Sequence, residues 1–556
     1  MRTRTEVSAE KLRGGFYTPP ALVRFCLRRA LDGARPANGE AVRLLEPTCG
    51  DGAFLRGLPS DRKITFTAVE IDPTQAAIAD IDARAAGQLG EVHARSVLRW
   101  ALEACEPFDV AVGNPPFVRF QFVAPDDRSA AERVAARAGL ELRGVSNLWI
   151  PVLLASLTAL RAGGRFAFVL PAELMTGLAA SDIRQWLLEE CEHLQLDLFA
   201  SRSFPDVLQE VVVLSGVRGR GTRPCRVSVL DWDALGVATK VDHSLEHSPA
   251  TWTELLLAPA TMTAYRELVG ARPYRRLGDV ATFEVSTVTG ANTYFSLTAA
   301  EARERGLEPW GQPLLPRIRH APGLAYTHQD ADVARDDAAR TVLLDFDSLD
   351  VDSAVSSPAL RYIEHGEDLG LSARFKCRTR TPWYAVPVVK AGALLLSKRS
   401  HRFPRVVVNE ADAVTTDTIY RGRILDPSVS ARSFTAGFHN SATLLGAELE
   451  GRSFGGGVLE LVPSEIRRLF VPCAETLSAA FDSLDREARA GSADDLVRAS
   501  NRALVGHAAV SAEMLSTLDE ARLALVDRRM RRNGPPRAAN PAAGDEPAYG
   551  AEMSMR

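Results

Sequence analysis

Cysteine is scarce and unpatterned in this chain. The seven cysteines (Cys26, Cys49, Cys105, Cys191, Cys225, Cys377 and Cys473) are odd in number, scattered over 556 residues and never spaced Cys-x-x-Cys. This argues against a disulfide framework and against a zinc site, and no metal is expected. No stretch reaches the ~18 consecutive apolar residues of a membrane span, and Met1-Arg2-Thr3-Arg4-Thr5-Glu6 lacks an apolar signal core. A cytoplasmic protein without membrane contact is expected. Excess charge is also lacking, since 66 Lys and Arg against 70 Asp and Glu leave a net charge of only −4. An Asp…Glu-x-Lys arrangement able to hold magnesium in a nuclease is not found. With the first helix expected from Pro20, little chain precedes it for a nuclease domain, so strand cleavage is not expected.

What the chain has is apolar content, 46% of residues, ample for the cores of two or more domains at this length. Residues 1 to about 220 alternate strand-like and helix-like runs, with strands at 42–45, 65–72, 108–113, 164–171 and 211–214 and helices at 150–157 and 183–188. That alternation predicts a parallel sheet covered by helices. The polar stretch 218–224 reads as a boundary or an exposed hairpin, and 227–230 as a further strand of the same sheet. From about 250 the pattern changes to short β-rich segments and loops.

The most informative motif follows the 108–113 strand. In Asn114-Pro115-Pro116-Phe117, the Asn114 side-chain oxygen and the Pro115 carbonyl can each accept one hydrogen of an NH2 group, and Phe117 offers a face for a ring. An exocyclic ring amine is a poor nucleophile because its lone pair is delocalised, and two fixed acceptors draw its nitrogen toward tetrahedral geometry. The prolines lock φ and restrict the preceding residues, so the acceptors are set in advance.

Upstream, Glu46-Pro47-Thr48-Cys49-Gly50-Asp51-Gly52 reads as a glycine turn from strand to helix. About 20 residues later, Glu70 ends the next strand, where an acid binds ribose hydroxyls in doubly wound nucleotide sites. The three glycines of a dinucleotide fingerprint are missing, and Glu46 and Asp51 beside the turn would repel a diphosphate but attract the cationic methionyl group of S-adenosylmethionine.

In their order these motifs resemble those of the gamma-class, TaqI-like adenine-N6 DNA methyltransferases, over roughly the first 220 residues. Gly15-Phe16-Tyr17-Thr18-Pro19-Pro20 is similar to the family's N-terminal cofactor motif, and Ser203-Phe204-Pro205 to the segment whose aromatic packs on the flipped base. The resemblance implies a Rossmann-like α/β domain that holds S-adenosylmethionine through Tyr17, Thr18, Glu46, Thr48, Gly50, Glu70, Ile71, Ser96, Val97 and Asn114. It further implies that Asn114, Pro115 and Phe117 are catalytic, and that Phe117 and Phe204 sandwich the adenine. Ser96 stands where the family usually has an aspartate, which implies a weaker hydrogen bond to the cofactor's ring amine.

Residues 369–409 hold nine Lys or Arg and no acid, interleaved with aromatics. Arg374, Lys376, Arg378, Arg380, Lys398, Arg399 and Arg402 are the expected contacts to the phosphates of double-stranded DNA. The expected organisation is a catalytic domain at 1–240, a mixed α+β target-recognition domain at 250–470 that includes 285–295 and 374–384, a C-terminal helical segment at 471–532 and a disordered tail at 533–556. Arg528, Arg529, Arg531 and Arg532 read either as phosphate contacts or as a solvated helix end. A separate cognate restriction endonuclease or other defence component is compatible with such an enzyme. The alternative readings are an RNA or protein-glutamine methyltransferase and a non-catalytic module that binds cofactor and DNA. Neither the recognition sequence nor the oligomeric state is written in the chain.

Overall fold

A computed structural model describes residues 18–37, 39–103, 107–142, 147–199, 211–219, 224–233, 236–347, 349, 357–454 and 457–532. The chain divides into two compact units, one running to Pro259 and the other covering Ala260–Arg531.

The first unit is built on one nine-stranded sheet. Its strands are β1 (Val42–Glu46), β2 (Ile64–Glu70), β3 (Leu89–Ala94), β4 (Phe108–Gly113), β5 (Leu160–Pro171), β6 (Cys191–Phe199), β7 (Val211–Arg218), β8 (Cys225–Trp232) and β9 (Ala238–Leu245), in the order β3-β2-β1-β4-β5-β7-β6-β8-β9. The first five are mutually parallel. β7 runs antiparallel between β5 and β6, and β8 lies parallel to β6. The central strands read as unbroken apolar runs because helices cover both faces, and β4 is buried at every residue. One polar residue inside it, Asp109, is held by Arg161 at 2.6 Å. Trp149–Thr158 packs into the core on one face and Pro20–Leu31 on the other.

From β1 the chain steps outward through β2 and β3, then returns to place β4 on the opposite side of β1. Such a reversal opens a crevice at the carboxyl ends of the strands. The polar stretch 218–224 is neither a boundary nor a hairpin, because β7 and β8 flank β6 from opposite sides and the unit continues to Pro259.

In the second unit a five-stranded sheet takes the order Ala281–Glu284, Ile419–Ile424, Leu394–Ser397, Val406–Asn409 and Ala325–Tyr326. Three smaller sheets and many helices surround it. The periodic segment near the C-terminus forms Phe481–Ala490, Ala493–Ala508 and Ala512–Arg532, which bury Leu484, Leu504 and Leu518. Arg529 is no phosphate contact: it is buried, paired with the buried Glu448 at 2.7 Å and bonded to the Gly457 carbonyl. No described helix is long and apolar enough to cross a membrane.

Candidate active site

At the end of β1 the chain turns sharply at Gly50 (φ 53°) and Gly52 (φ 83°), both in the left-handed region that favours glycine. A Cβ on Gly52 would stand 3.0 Å from the Ala79 Cα, so this turn presses against the helix Pro73–Ala85. Glu70 braces the turn. Its Oε2 accepts from the Gly50 N–H at 3.0 Å and its Oε1 from the Asp72 N–H at 2.9 Å. Asp72 in turn caps the helix through the N–H groups of Thr74 and Gln75.

Glu46 is only 1% exposed, and its Oε2 has no partner among the described residues. Burial, then the charges of Asp51 and Glu70, raise its carboxyl well above the ordinary value, with Arg56 opposing them. Cys49 beside it is held as an unreactive thiol, pushed up by burial and by Glu46 and Glu70.

These residues line a cavity of about 400 Å³ with Thr18, Thr48, Ile71, Ser96, Val97 and Asn114 on its walls. Asn114 is oriented from two sides. Its Nδ2 donates to Thr18 Oγ1 at 3.2 Å, while the Thr48 hydroxyl donates to its backbone carbonyl at 3.4 Å. That leaves Asn114 Oδ1, a buried acceptor without a partner among the described residues, at the cavity wall. Pro116 lines the cavity, whereas Pro115 is buried behind it and the half-buried Phe117 packs against both cores. Tyr17 and Phe204 lie outside the described residues.

Several wall residues had escaped sequence reasoning: Phe122, Val123, Asp127, Leu148 and Val152. They come from the helix Pro125–Arg137, the turn before it and the start of Trp149–Thr158. Pro125-Asp126-Asp127, a helix start with acids in its first turn, is the clue that could have located that wall.

In the second unit the basic run splits in two. Arg374, Lys376 and Arg378 are exposed on or beside the short helix Phe375–Arg378, around a Phe375 ring that is 40% exposed; the Lys376 and Arg378 cations stand 5.9 and 5.4 Å from its centre. Arg380 turns inward and donates to the carbonyls of Thr289, at 2.8 Å, and Val288. The two segments singled out at 285–295 and 374–384 are thereby fastened together. Lys398 and Arg399 meet Glu460, and Arg402 meets Asp494 at 4.0 Å, acids supplied from far along the chain.

Residues 68–204 match the family described as Eco57I restriction-modification methylase, and residues 249–505 the family described as Type II methyltransferase M.Eco57I, C-terminal domain. Over 484 residues the chain is 23% identical to Type II methyltransferase M.XamI of Xanthomonas campestris pv. amaranthicola, spanning 84% of this chain and 86% of that one. Over 398 residues it is 24% identical to Type II methyltransferase M.AccI of Acinetobacter calcoaceticus, spanning 67% and 70%. Among solved structures, the type IIL restriction-modification enzyme MmeI in complex with DNA shares the fold with a TM-score of 0.52 and 13% identity, over 96% of this chain and 78% of that one.

Proposed function

Because the chain belongs with the type II restriction-modification DNA methyltransferases, which use S-adenosylmethionine, we propose that it methylates the N6 amine of an adenine flipped out of duplex DNA. The observation that carries this reading is the Asn114 Oδ1, a buried acceptor with no donor among the described residues, held in the wall of the cavity by Thr18.

The cavity suits the cofactor on its own chemistry. The unpartnered Glu46 Oε2 would take the methionyl ammonium, Glu70 retains lone pairs for ribose hydroxyls, Ile71, 53% exposed, and Val97 offer apolar surface to the adenine ring, and the Ser96 hydroxyl takes the ring amine. When bound, S-adenosylmethionine supplies an electrophilic methyl group carried on a sulfonium. Asn114 Oδ1 accepts one hydrogen of the target amine and the Pro115 carbonyl the other, restoring the nitrogen's lone pair. Thr18 keeps the amide from rotating, and the prolines keep the carbonyl from shifting. Phe117 and Phe204 stack on the extruded base and offset the few kcal/mol lost on unstacking and unpairing it. The methylated amine is acidic and loses its extra proton after transfer, so no side-chain base is required. Arg374, Lys376 and Arg378 neutralise phosphates of the duplex, and residues 250–470 carry target recognition. A separate endonuclease, from whose cutting this methylation protects the site, is the natural companion.

Incubation of the full chain with labelled S-adenosylmethionine and duplex DNA, followed by digestion to nucleosides, should place the label on N6-methyldeoxyadenosine. Asn114→Ala should lower kcat by at least ~100-fold, the scale for losing one preset polar group at a reacting centre, a larger loss than any in cofactor affinity. Label on RNA or protein in place of DNA, or an Asn114→Ala variant near wild type, would overturn the reading.

A further inference from the structure

A second cavity, about 630 Å³, opens in the first unit at the other end of the strands. Its walls carry Arg24 and Arg28 from the helix Pro20–Leu31, Arg62 from the turn before β2 and Arg165 from β5, with His193 and Ser215 on strands β6 and β7. Arg165, midway along β5, pairs with Val110 near the start of β4 and with Val217 near the end of β7, whereas the cofactor cavity lies beyond the carboxyl ends of β1 to β4.

The arginines here are unusual for this chain. Arginines of this chain commonly meet a carboxylate, as Arg29 meets Asp197 at 2.8 Å. Five arginines line the groove, and among the described residues only Arg29 forms such an ion pair, while Arg24, Arg28, Arg62 and Arg165 form none. Arg62 donates to the Leu31 carbonyl at 2.6 Å, and the Nε of Arg165 is buried with no partner. Asp32 and Asp61 also line the groove, so with Arg29 matched by Asp197 four further cations stand against two anions. Burial, then the charges of Arg226, Arg165 and Lys240, hold the His193 imidazole below the ordinary value, with Asp242 opposing. Burial and the cations Arg29 and Arg24 likewise lower Arg28. Gathering unpaired guanidinium groups around a concave surface costs energy unless an anion joins them, and the planar forks of arginine match the oxygens of a phosphate.

We propose that this groove binds the phosphate group of a nucleotide, either free or within a nucleic acid strand, as a site separate from the methyl-transfer cavity. Its volume falls in the range of small-ligand pockets. Nothing in the proposal rests on adenine being the methylated base.

The test uses the full chain, with inorganic pyrophosphate followed by calorimetry and a 20-base-pair duplex of G and C alone followed by fluorescence anisotropy across a salt series. Arg24→Gln with Arg28→Gln changes two exposed helix positions, and Arg62→Gln is a second, independent variant. If the groove takes free phosphates, pyrophosphate binds wild type and loses at least tenfold in affinity in both variants. If it takes strand phosphates, pyrophosphate binds weakly throughout, while the duplex loses at least tenfold in the double variant and its log–log salt slope shrinks by about two. S-adenosylmethionine affinity should stay within twofold in each. The proposal is overturned if neither ligand responds. It is equally overturned if Arg303→Gln with Arg335→Gln, which removes the same charge from acid-paired surface arginines of the second unit, costs as much.

Discussion

Glu46 is a carboxylate enclosed by protein and faced by the negative charges of Asp51 and Glu70. Burial and like charges of this kind favour the neutral form of a carboxyl group over the charged one. Since its folded-state pKa is raised above the ordinary 4.5, the protonated form stabilises the free protein, and that contribution is lost as pH climbs from 4.5 through the raised value. On the function proposed above, the methionyl ammonium would reverse the balance by favouring the charged carboxylate. Cofactor binding should therefore release protons below the raised pKa and tighten with rising pH until that value is passed, after which it levels. Calorimetry in buffers of different ionisation enthalpy measures the proton count. Glu46→Gln should abolish both the release and the pH dependence while weakening binding at high pH, and a variant that still releases the proton would place it elsewhere. Thr18 acts one step removed. Thr18→Val frees the Asn114 amide, so kcat should fall about tenfold with KM for the cofactor little changed, and an unaltered kcat would show that the side chain is held by other means. Asn114, Glu46 and Glu70 were legible because each sits at the end of a strand whose apolar run is plain. The bond from Thr18 to Asn114 spans 96 residues, and only the fold brings the two together.

The short helix Phe375–Arg378 and the loop ahead of Asn292–Phe295 form one element in practice, joined by Arg380. Chain order made Arg380 look like its neighbours, because a run without acids hides the partners that the fold supplies: backbone carbonyls for Arg380, Glu460 for Lys398 and Arg399, Asp494 for Arg402. Neutralising Arg374, Lys376 and Arg378 together should weaken binding to any duplex and flatten the log–log salt dependence by about three. Arg380→Met should act differently, lowering the melting temperature while leaving the salt slope nearly unchanged. Equal changes of slope per charge would return Arg380 to the phosphate contacts. The glycine turn is the other element where local geometry decides. Gly52→Ala places a Cβ against Ala79 at a left-handed φ, which should cost about 1–3 kcal/mol in chemical denaturation and reduce cofactor affinity with it. The strand–turn–helix was visible in the sequence through its glycines, but its pressure against Pro73–Ala85 was not, because Ala79 carries no mark that sets it apart.

Across the molecule, the two units present different chemistry to acid. The second unit buries His439, whose imidazole lies between the Val406 N–H and the Thr435 carbonyl; burial, then the charge of Arg405, lowers its pKa to about 3. The unfolded chain takes up this proton near 6.5 and the folded chain does not. The unit's stability is therefore full above 6.5 and declines as pH falls toward about 3, by at most ~1.4 kcal/mol per pH unit. Denaturant midpoints measured from pH 7 to pH 4 should show this decline in wild type and less of it in His439→Gln; parallel curves would exclude the histidine. The first unit was read from sequence as alternating strands and helices, and that pattern gave runs within β1, β2, β4, β5, β7 and β8 but none for β6 or β9. It failed where β7 doubles back, since residues 218–224 carry no indication that the strands on either side of them share β6. That insertion sets the order in which the sheet can close during synthesis. β6 is made before either of its neighbours, and β5 keeps a bare edge until residues 211–218 clear the ribosome, so the inner position is filled by a later arrival. A nascent chain paused just short of β7 leaves one edge of β5 and both edges of β6 unpaired at once, the point at which this protein is most open to joining the wrong partner.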